Sequence, residues 1–418
     1  MLNDKPFLLY NLFPRLIGNF SEWKKHLNRI KEMGFEWIYI NPFHYAGFSG
    51  SLYAVKDYFR INPIFIDEKS TLTPFEQLKD FVNTAHNQNL KVIMDLIINH
   101  TAKDHPFTST NPDWYKKDNN GKIKSPGAWD NGKWIEWGDL AEIDNLTNHE
   151  REKLWNYWYE VIEFYVNLGF DGFRCDAAYA VPIELWKFLI EKIKTKNSKI
   201  IFLAESLGCP LENTIQLAKD GFDYIFNSSK WWNYKDSWLI EQYNQTRIFA
   251  PSISFPESHD TERLFKEADS EEIFKQRIIF TAFFSNGWMI PLGLEFGFKK
   301  RVNVVSTTPF DYEDTNSDYT NLIKEIISTK KKYNILYEEG EIANFQINDE
   351  ISTFTKFNIK ETEKAIYLIN TSTKRKKINL KKISADFIKG TELISEKELT
   401  DEIITLNPTE IKIIQFKN

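Results

Sequence analysis

Short apolar runs alternate along most of the chain with segments in which hydrophobic residues recur every three to four positions. Residues 6–13 read as a buried strand. Trp23, Leu27, Ile30 and Met33 then share one face, predicting a single amphipathic helix over 21–33 that Gly34 closes as a C-cap. A second strand is predicted over 37–43. Thr73-Pro74-Phe75-Glu76 is a capping box with proline in the first helical position, and Phe75, Leu78, Val82 and Ala85 follow on one face. Residues 91–98 form a third strand. Strands this continuously apolar belong in a parallel sheet covered on both sides.

Between His100 and about Asn148 the period disappears, and the composition turns to Asn, Asp, Gly, Pro and Trp. A stretch this long without periodicity inside a compact domain is usually functional, and it predicts a subdomain inserted after strand three, residues 100–148. The rhythm resumes with a helix over 149–168 and strands over 169–176, 200–205, 222–226, 252–255 and 288–291. Helices are predicted near 184–193, 271–284 and 318–333. Eight strand–helix units predict a (β/α)8 barrel, assembled from residues 1–99 and 149–334. Beyond about residue 335 the helical period is lost, and 351–359, 364–370 and 410–416 read as strands of a small C-terminal β-sandwich domain, residues 335–418. The fold class is therefore α/β, a barrel with one insertion and an all-β C-terminal domain.

Composition narrows the function. Lys and Arg number 53 against 59 Asp and Glu, which gives no signature of a nucleic-acid partner. The basic run Lys374-Arg375-Lys376-Lys377 lacks interleaved aromatics and reads as a solvated hairpin. Cys175 and Cys209 do not form a disulfide framework, so reduced thiols and a cytoplasmic location are expected. Residues 1–10 lack the pattern of a secretory leader, and no apolar run reaches membrane-spanning length, so no membrane partner is expected. Aromatics are abundant, with 13 tryptophans, 18 tyrosines and 33 phenylalanines; such rings fill cores, but Trp and Tyr also stack on sugars.

A barrel of this kind places its active site at the C-terminal ends of the strands. There the sequence puts Asp95 and His100 near the end of strand three, Arg174 and Asp176 on strand four, Glu205 on strand five, and His259 and Asp260 after strand seven. Arg174 and Asp176 are two residues apart, so they point to one face while Cys175 points to the other. A guanidinium beside a carboxylate keeps it ionised, as a carboxylate nucleophile requires. Glu205 follows the apolar run 201–204, a desolvating setting that favours the protonated form of a general acid. Unpaired charges near a core are costly, so this gathering of carboxylates and histidines on one rim points to chemistry. The reaction suited to them is glycoside cleavage.

In these stretches, 95–100, 169–176, 204–206 and 258–260, the sequence resembles the α-amylase family, glycoside hydrolase family 13, over almost its whole length. The resemblance implies Asp176 as nucleophile, Glu205 as general acid/base and Asp260 as the carboxylate that grips sugar hydroxyls in the transition state. Arg174 would orient Asp176, His100 and His259 would bind the sugar beside the scissile bond, Tyr53 would stack under it, and Asp95 would belong to the same binding set. An α-glucan or maltooligosaccharide is the implied substrate, cleaved by hydrolysis or transglycosylation. The pattern often follows the nucleophile with a Lys-His pair; here the run is Ala177-Ala178-Tyr179-Ala180, so the leaving-group or acceptor side differs. Residues 50–57 resemble the maltosyltransferase branch, including enzymes that use maltose 1-phosphate, which is the alternative reading. A non-catalytic glucan-binding or structural role is the third, and the presence of all three carboxylates counts against it. No cofactor is required. Calcium is an optional ligand, for which Asn99 with Asp130, Asp139 and Asp144 supplies the oxygen donors. Trp114, Trp129, Trp134 and Trp137 are candidate sugar platforms, and Glu295 is read as structural.

Overall fold

A computed structural model describes residues 4–130, 132–385 and 387–416. Eight strands close into a barrel in chain order: β1 (Phe7–Leu12), β2 (Trp37–Ile40), β3 (Lys91–Leu96), β4 (Gly172–Cys175), β5 (Ile201–Ala204), β6 (Tyr224–Phe226), β7 (Ser252–Ser254) and β8 (Gly287–Pro291). The pairings run parallel, for example Ile38 with Val92 and Arg174 with both Asp95 and Leu203. A six-stranded antiparallel sheet follows in the C-terminal region. By its internal contacts the chain divides into two compact units, one of Tyr10–Ile225 with Arg301–Asp314, the other of Met1–Leu9, Phe226–Lys300 and Thr315–Asn418.

In the unit that begins at Tyr10, the helix expected over 21–33 is two helices, Phe20–Lys25 and Leu27–Met33. At the joint the His26 N–H donates to the carbonyls of Trp23 and Lys24 and forms no i−4 bond, and Arg29 contacts the His26 ring at 3.1 Å. The hydrophobic period carries across this break because Trp23 remains the centre of an aromatic cluster with Phe20, Phe65 and Phe81. Gly34 closes the second helix in the left-handed region at φ 103°, which an L side chain rarely adopts. The capping box at Thr73 is formed, and its helix runs Pro74–Asn87. Within the predicted insertion, His100–Ala102 pairs antiparallel with Leu140–Glu142, and Gly127–Asp130 with Lys133–Glu136. The helix Arg151–Leu168 then leads through Gly169, at φ 110°, into β4.

In the other unit, helices Glu271–Phe284 and Thr320–Lys332 accompany β7 and β8. Lys330 is fully buried on the second of these. Its Nζ donates to the carbonyls of Ala282, Ser285 and Leu336 at 2.7, 2.5 and 3.1 Å. Glu339 accepts the N–H groups of Ser252 and Asn286, fixing the entries to β7 and β8. The C-terminal sheet includes Ile351–Phe357, Lys364–Asn370 and Ile411–Phe416 in antiparallel register, and a second pair of strands packs with it into one apolar cluster that includes Leu368, Phe387 and Leu406. That second pair corrects the reading of the basic run. Lys376–Asn379 is not one arm of a local hairpin but pairs with Ile403–Leu406, because Ile378 packs against the same cluster. Among the described residues no helix is long and apolar enough to cross a membrane.

Candidate active site

The register of β3, β4 and β5 builds the site. Arg174 lies directly opposite Asp95, and Cys175 opposite Ala204. The next residues, Asp176 and Glu205, therefore leave neighbouring strands at the same level. Backbone bonds hold both there: Asp176 N–H donates to Leu96 O at 3.0 Å, and Glu205 N–H to Cys175 O at 3.1 Å. Since side chains alternate along a strand, Arg174 and Asp176 share a face and Cys175 is buried on the other.

Arg174 is the hub. One amino group, Nη1, meets Asp95 at 3.0 and 3.1 Å and Asp176 at 2.8 Å, while Nη2 lies 3.9 Å from Glu205. Burial opposes the guanidinium's charge, yet the charges of Asp95 and Asp176, with Tyr39 and Tyr53, hold it protonated well above its ordinary range. The sequence paired Arg174 with Asp176 alone; the structure shows a bridge serving two carboxylates and approaching a third. Glu205 was also expected to be the more desolvated acid, and its side chain is 10% exposed against 14% for Asp176, a small difference in that direction. The guanidinium stands nearer to Asp176, at 2.8 Å, than to Glu205, at 3.9 Å.

Asp95 is fully buried and carries most of this arrangement without reaching solvent. Its Oδ2 accepts the hydroxyls of Tyr39 and Tyr53, each at 2.6 Å. Asn41 donates to both of those hydroxyls at 3.1 Å, and Asn11 donates to Asn41 at 2.8 Å. Asn11, Tyr39 and Asn41 were absent from the sequence-derived set. The available signal was that these polar groups interrupt the apolar β1 and β2 runs near their C-terminal ends. Tyr53, which was in the set, is anchored through its hydroxyl to Asp95, which fixes the orientation of its ring. His100 is buried and its Nε2 contacts Tyr53 O at 3.1 Å, so it supports the same tyrosine.

Glu205 is held from the backbone. Ala177 N–H donates to Oε2 at 2.8 Å and Leu207 N–H to Oε1 at 2.7 Å. Ala177 adopts the left-handed region, φ 40° and ψ 50°, a conformation that costs a non-glycine residue roughly 1–2 kcal/mol and is retained where surroundings impose it.

The segment after β7 belongs to the other unit. His259 is buried, and its Nε2 lies 3.0 Å from Oδ2 of the exposed Asp260. Asp260 N–H donates to Ser258 Oγ at 3.2 Å. Beside them Glu257 and Arg263 form a buried pair at 2.8 Å.

Other candidates fall into place singly. Trp114 is buried and donates to Glu150, which makes it core, whereas Trp134 and Trp137 are exposed. The side chains of Trp129 and Asp130 lie outside what the structure describes. Glu295 is buried and accepts the Gly293 N–H at 3.0 Å within its own turn. Asn99 Oδ1 is buried without a hydrogen-bond partner, and Asp144 accepts hydrogen bonds from Leu146 and Thr147. Among the described residues no group of three or more His, Cys, Asp or Glu converges as metal ligands.

Burial has a pH consequence here. It lowers His44 to about 3, and His100 and His105 to about 4, so all three are neutral in the fold. The unfolded chain protonates them near 6.5, so it binds more protons than the fold below that pH, and stability falls as pH drops from 6.5 toward 4. Each imidazole contributes a loss of about 1.4 kcal/mol per pH unit in that window. Urea unfolding at pH 7.0 and 5.0 is expected to show a lower midpoint at pH 5.0. Replacing His44 by Phe, which is stacked on Phe43 at 4.9 Å, is expected to shrink the difference.

A parallel barrel with an arginine-bridged carboxylate cluster at its strand ends is the architecture of glycoside-active barrel enzymes. Comparison with known proteins makes this specific. Residues 5–126 match the family model for the glucanotransferase domain of glycogen debranching enzyme. The α-1,4-glucan:maltose-1-phosphate maltosyltransferase of Picrophilus torridus is 24% identical over 401 residues, covering 87% of this chain and 60% of that protein. Alpha-amylase 2 of Dictyoglomus thermophilum is 24% identical over 410 residues, 91% of this chain and 68% of that one. In structure, an α-amylase from Lactobacillus plantarum superposes with a TM-score of 0.80 at 20% identity, covering 100% of this chain and 99% of the other. The chain is similar in sequence to these α-glucan enzymes and has the fold of the α-amylases. It spans 60% of the length of the Picrophilus maltosyltransferase.

Proposed function

We propose that this protein is a retaining enzyme of α-1,4-linked glucans that works through a covalent glycosyl-enzyme. The observation that carries the reading is the Arg174 guanidinium, 2.8 Å from Asp176 and 3.9 Å from Glu205 on adjacent strands. It pairs directly with the Asp176 carboxylate and stands farther from that of Glu205, whose oxygens accept two backbone N–H groups. In a retaining site the two carboxyl groups stand about 5–5.5 Å apart across the scissile bond.

Asp176 attacks the anomeric carbon while Glu205 protonates the departing glycosidic oxygen. Glu205, now a carboxylate, removes the proton from the acceptor that displaces Asp176. Asp95 takes no part in bond making; it fixes Arg174 and, through Tyr39 and Tyr53, the floor on which the sugar rests. His100 holds the Tyr53 segment. The family resemblance assigns Asp260 and His259 to the sugar hydroxyls next to the cleaved bond. No cofactor enters these steps, and the substrate is an α-glucan or maltooligosaccharide.

A second reading, transfer of maltosyl units with maltose 1-phosphate as donor or product, is favoured by relatives that carry the maltosyltransferase name, those of Picrophilus torridus and Burkholderia pseudomallei among them. Product analysis on maltoheptaose, with and without inorganic phosphate, decides between acceptors. Shorter maltooligosaccharides alone mean water, longer chains mean glycosyl transfer, and maltose 1-phosphate means the second reading. If none forms, the proposal that this chain acts on α-1,4-glucans fails.

A further inference from the structure

In the unit that begins at Tyr10, a cavity of about 1050 Å³ opens where the root of the insertion meets the start of the helix Arg151–Leu168. None of the residues that line it belongs to the set around Arg174. Phe107, Trp114 and Tyr157 form an aromatic wall, with ring centroids 4.8 Å apart between Phe107 and Trp114 and 4.9 Å between Phe107 and Tyr157. Trp114 is buried, whereas Phe107 and Tyr157 remain partly exposed. Asn148 lines the same cavity and is 7% exposed. Its Nδ2 donates to Asp144 O at 2.5 Å, while its Oδ1 is buried and has no hydrogen-bond partner. A buried amide oxygen without a partner carries a desolvation cost that a donating hydroxyl removes. Charge in the wall is mixed. Glu150 accepts the Trp114 indole N–H at 3.0 Å and lies 3.6 Å from Lys153, and Glu152 and Glu160 line the cavity together with Arg151. Interleaved carboxylates and cations give no strong field of either sign, which suits a neutral ligand.

We propose that this cavity is a second, non-catalytic binding site for the glucan, holding one stretch of a long chain while another stretch is cut at the carboxylate pair. This rests on the reading of the substrate as an α-glucan and goes beyond it by placing a separate site on the same unit. A glucose ring presents C–H faces that pack on aromatic carbon and edge hydroxyls that both donate and accept. The wall answers each part. Phe107 and Tyr157 offer apolar surface, the side-chain oxygens of Asn148 and Glu150 accept, and the Lys153 ammonium donates. The volume stands at the top of the range of about 300–1,000 Å³ for small-molecule sites, which leaves room for a short run of sugar rings. Position gives the site its use. Ile143 N–H donates to Asn99 O at 3.1 Å and the Asn145 amide to Ile98 O at 2.7 Å, so the segment leading to Asn148 is pinned just beyond the strand that carries Asp95. A glucan held there keeps its remaining length near Asp176 and Glu205. That raises the local concentration of cleavable bonds for long chains and does nothing for short ones.

The test titrates the Asp176→Asn protein, which holds substrate without turning it over, with maltoheptaose by calorimetry. Two molecules are expected to bind per chain. One is expected when Asn156→Trp is added, since an indole at that exposed lining position fills the cavity, and one when Asn148→Leu removes the unpartnered oxygen. With Asp176 restored, Asn156→Trp is expected to lower kcat/KM on soluble amylose about tenfold and to leave that on maltotetraose within about twofold. The ratio of the two rates is independent of how much protein is folded. One molecule per chain in the Asp176→Asn protein, two in both cavity variants, or an unchanged amylose-to-maltotetraose ratio overturns the second site. A protein that neither binds maltoheptaose nor turns over maltotetraose is a separate failure, because it overturns the α-glucan reading on which the site stands.

Discussion

Replacing Asp176 by Asn is expected to abolish turnover, with kcat on maltoheptaose falling on the order of 10^4–10^6-fold, the scale on which deleting a covalent nucleophile acts. The amide is nearly isosteric, so what is lost is the negative charge that attacks the anomeric carbon. Stability should move far less. Arg174 keeps Asp95, which it meets at 3.0 Å and which is fully buried, so the guanidinium is not left without a counter-ion. Two measurements separate chemistry from folding. Binding of maltoheptaose by calorimetry should persist in the variant, and its thermal midpoint should stay near that of the wild type. A variant that still turns over at wild-type rate would refute the assignment of the nucleophile. A variant that loses binding together with rate would instead make Asp176 a binding residue.

The second large effect is on the acid/base. Glu205→Gln is expected to lower kcat/KM for maltoheptaose about 10^2–10^4-fold, the usual share of general acid–base catalysis. The size of the loss should depend on the leaving group. With α-maltosyl fluoride the departing fluoride needs no proton, so the first step is largely spared. The second step still lacks a base, and glycosyl-enzyme should accumulate as a burst detectable by intact-protein mass spectrometry. Equal losses on both donors would mean that Glu205 does not donate the proton. The amide can still accept the Ala177 N–H, now at 2.8 Å from the carboxylate, so the side chain should keep its position.

Much of this was legible in the chain because it is local. The strand–helix alternation, the capping box at Thr73 and the glycine stops at Gly34 and Gly169 follow from periodicity and from backbone conformations few residues tolerate. So does the placement of Asp95, Arg174, Asp176 and Glu205, since each falls at or just beyond the end of a strand and alternation fixes its face. Local pattern also misled. The hydrophobic period ran through His26 without betraying the break there, because both helices bury the same side. The basic run at 374–377 looked like a hairpin because its true partner, Ile403–Leu406, lies far along the chain.

The sequence by itself determined which chemical groups reach the strand ends. Only the tertiary structure decided who holds whom. Parallel register sets Arg174 opposite Asp95 across 79 residues of chain, and it is this pairing that turns a local Arg–Asp neighbour into a bridge between carboxylates. Tyr39, Asn41 and Asn11 enter through strands that read as plain core, and Ala177 grips Glu205 through a backbone N–H that no side-chain pattern encodes. The physical reason is range. Propensity and periodicity act over a few residues, whereas hydrogen bonds between strands are chosen by the closure of the whole barrel.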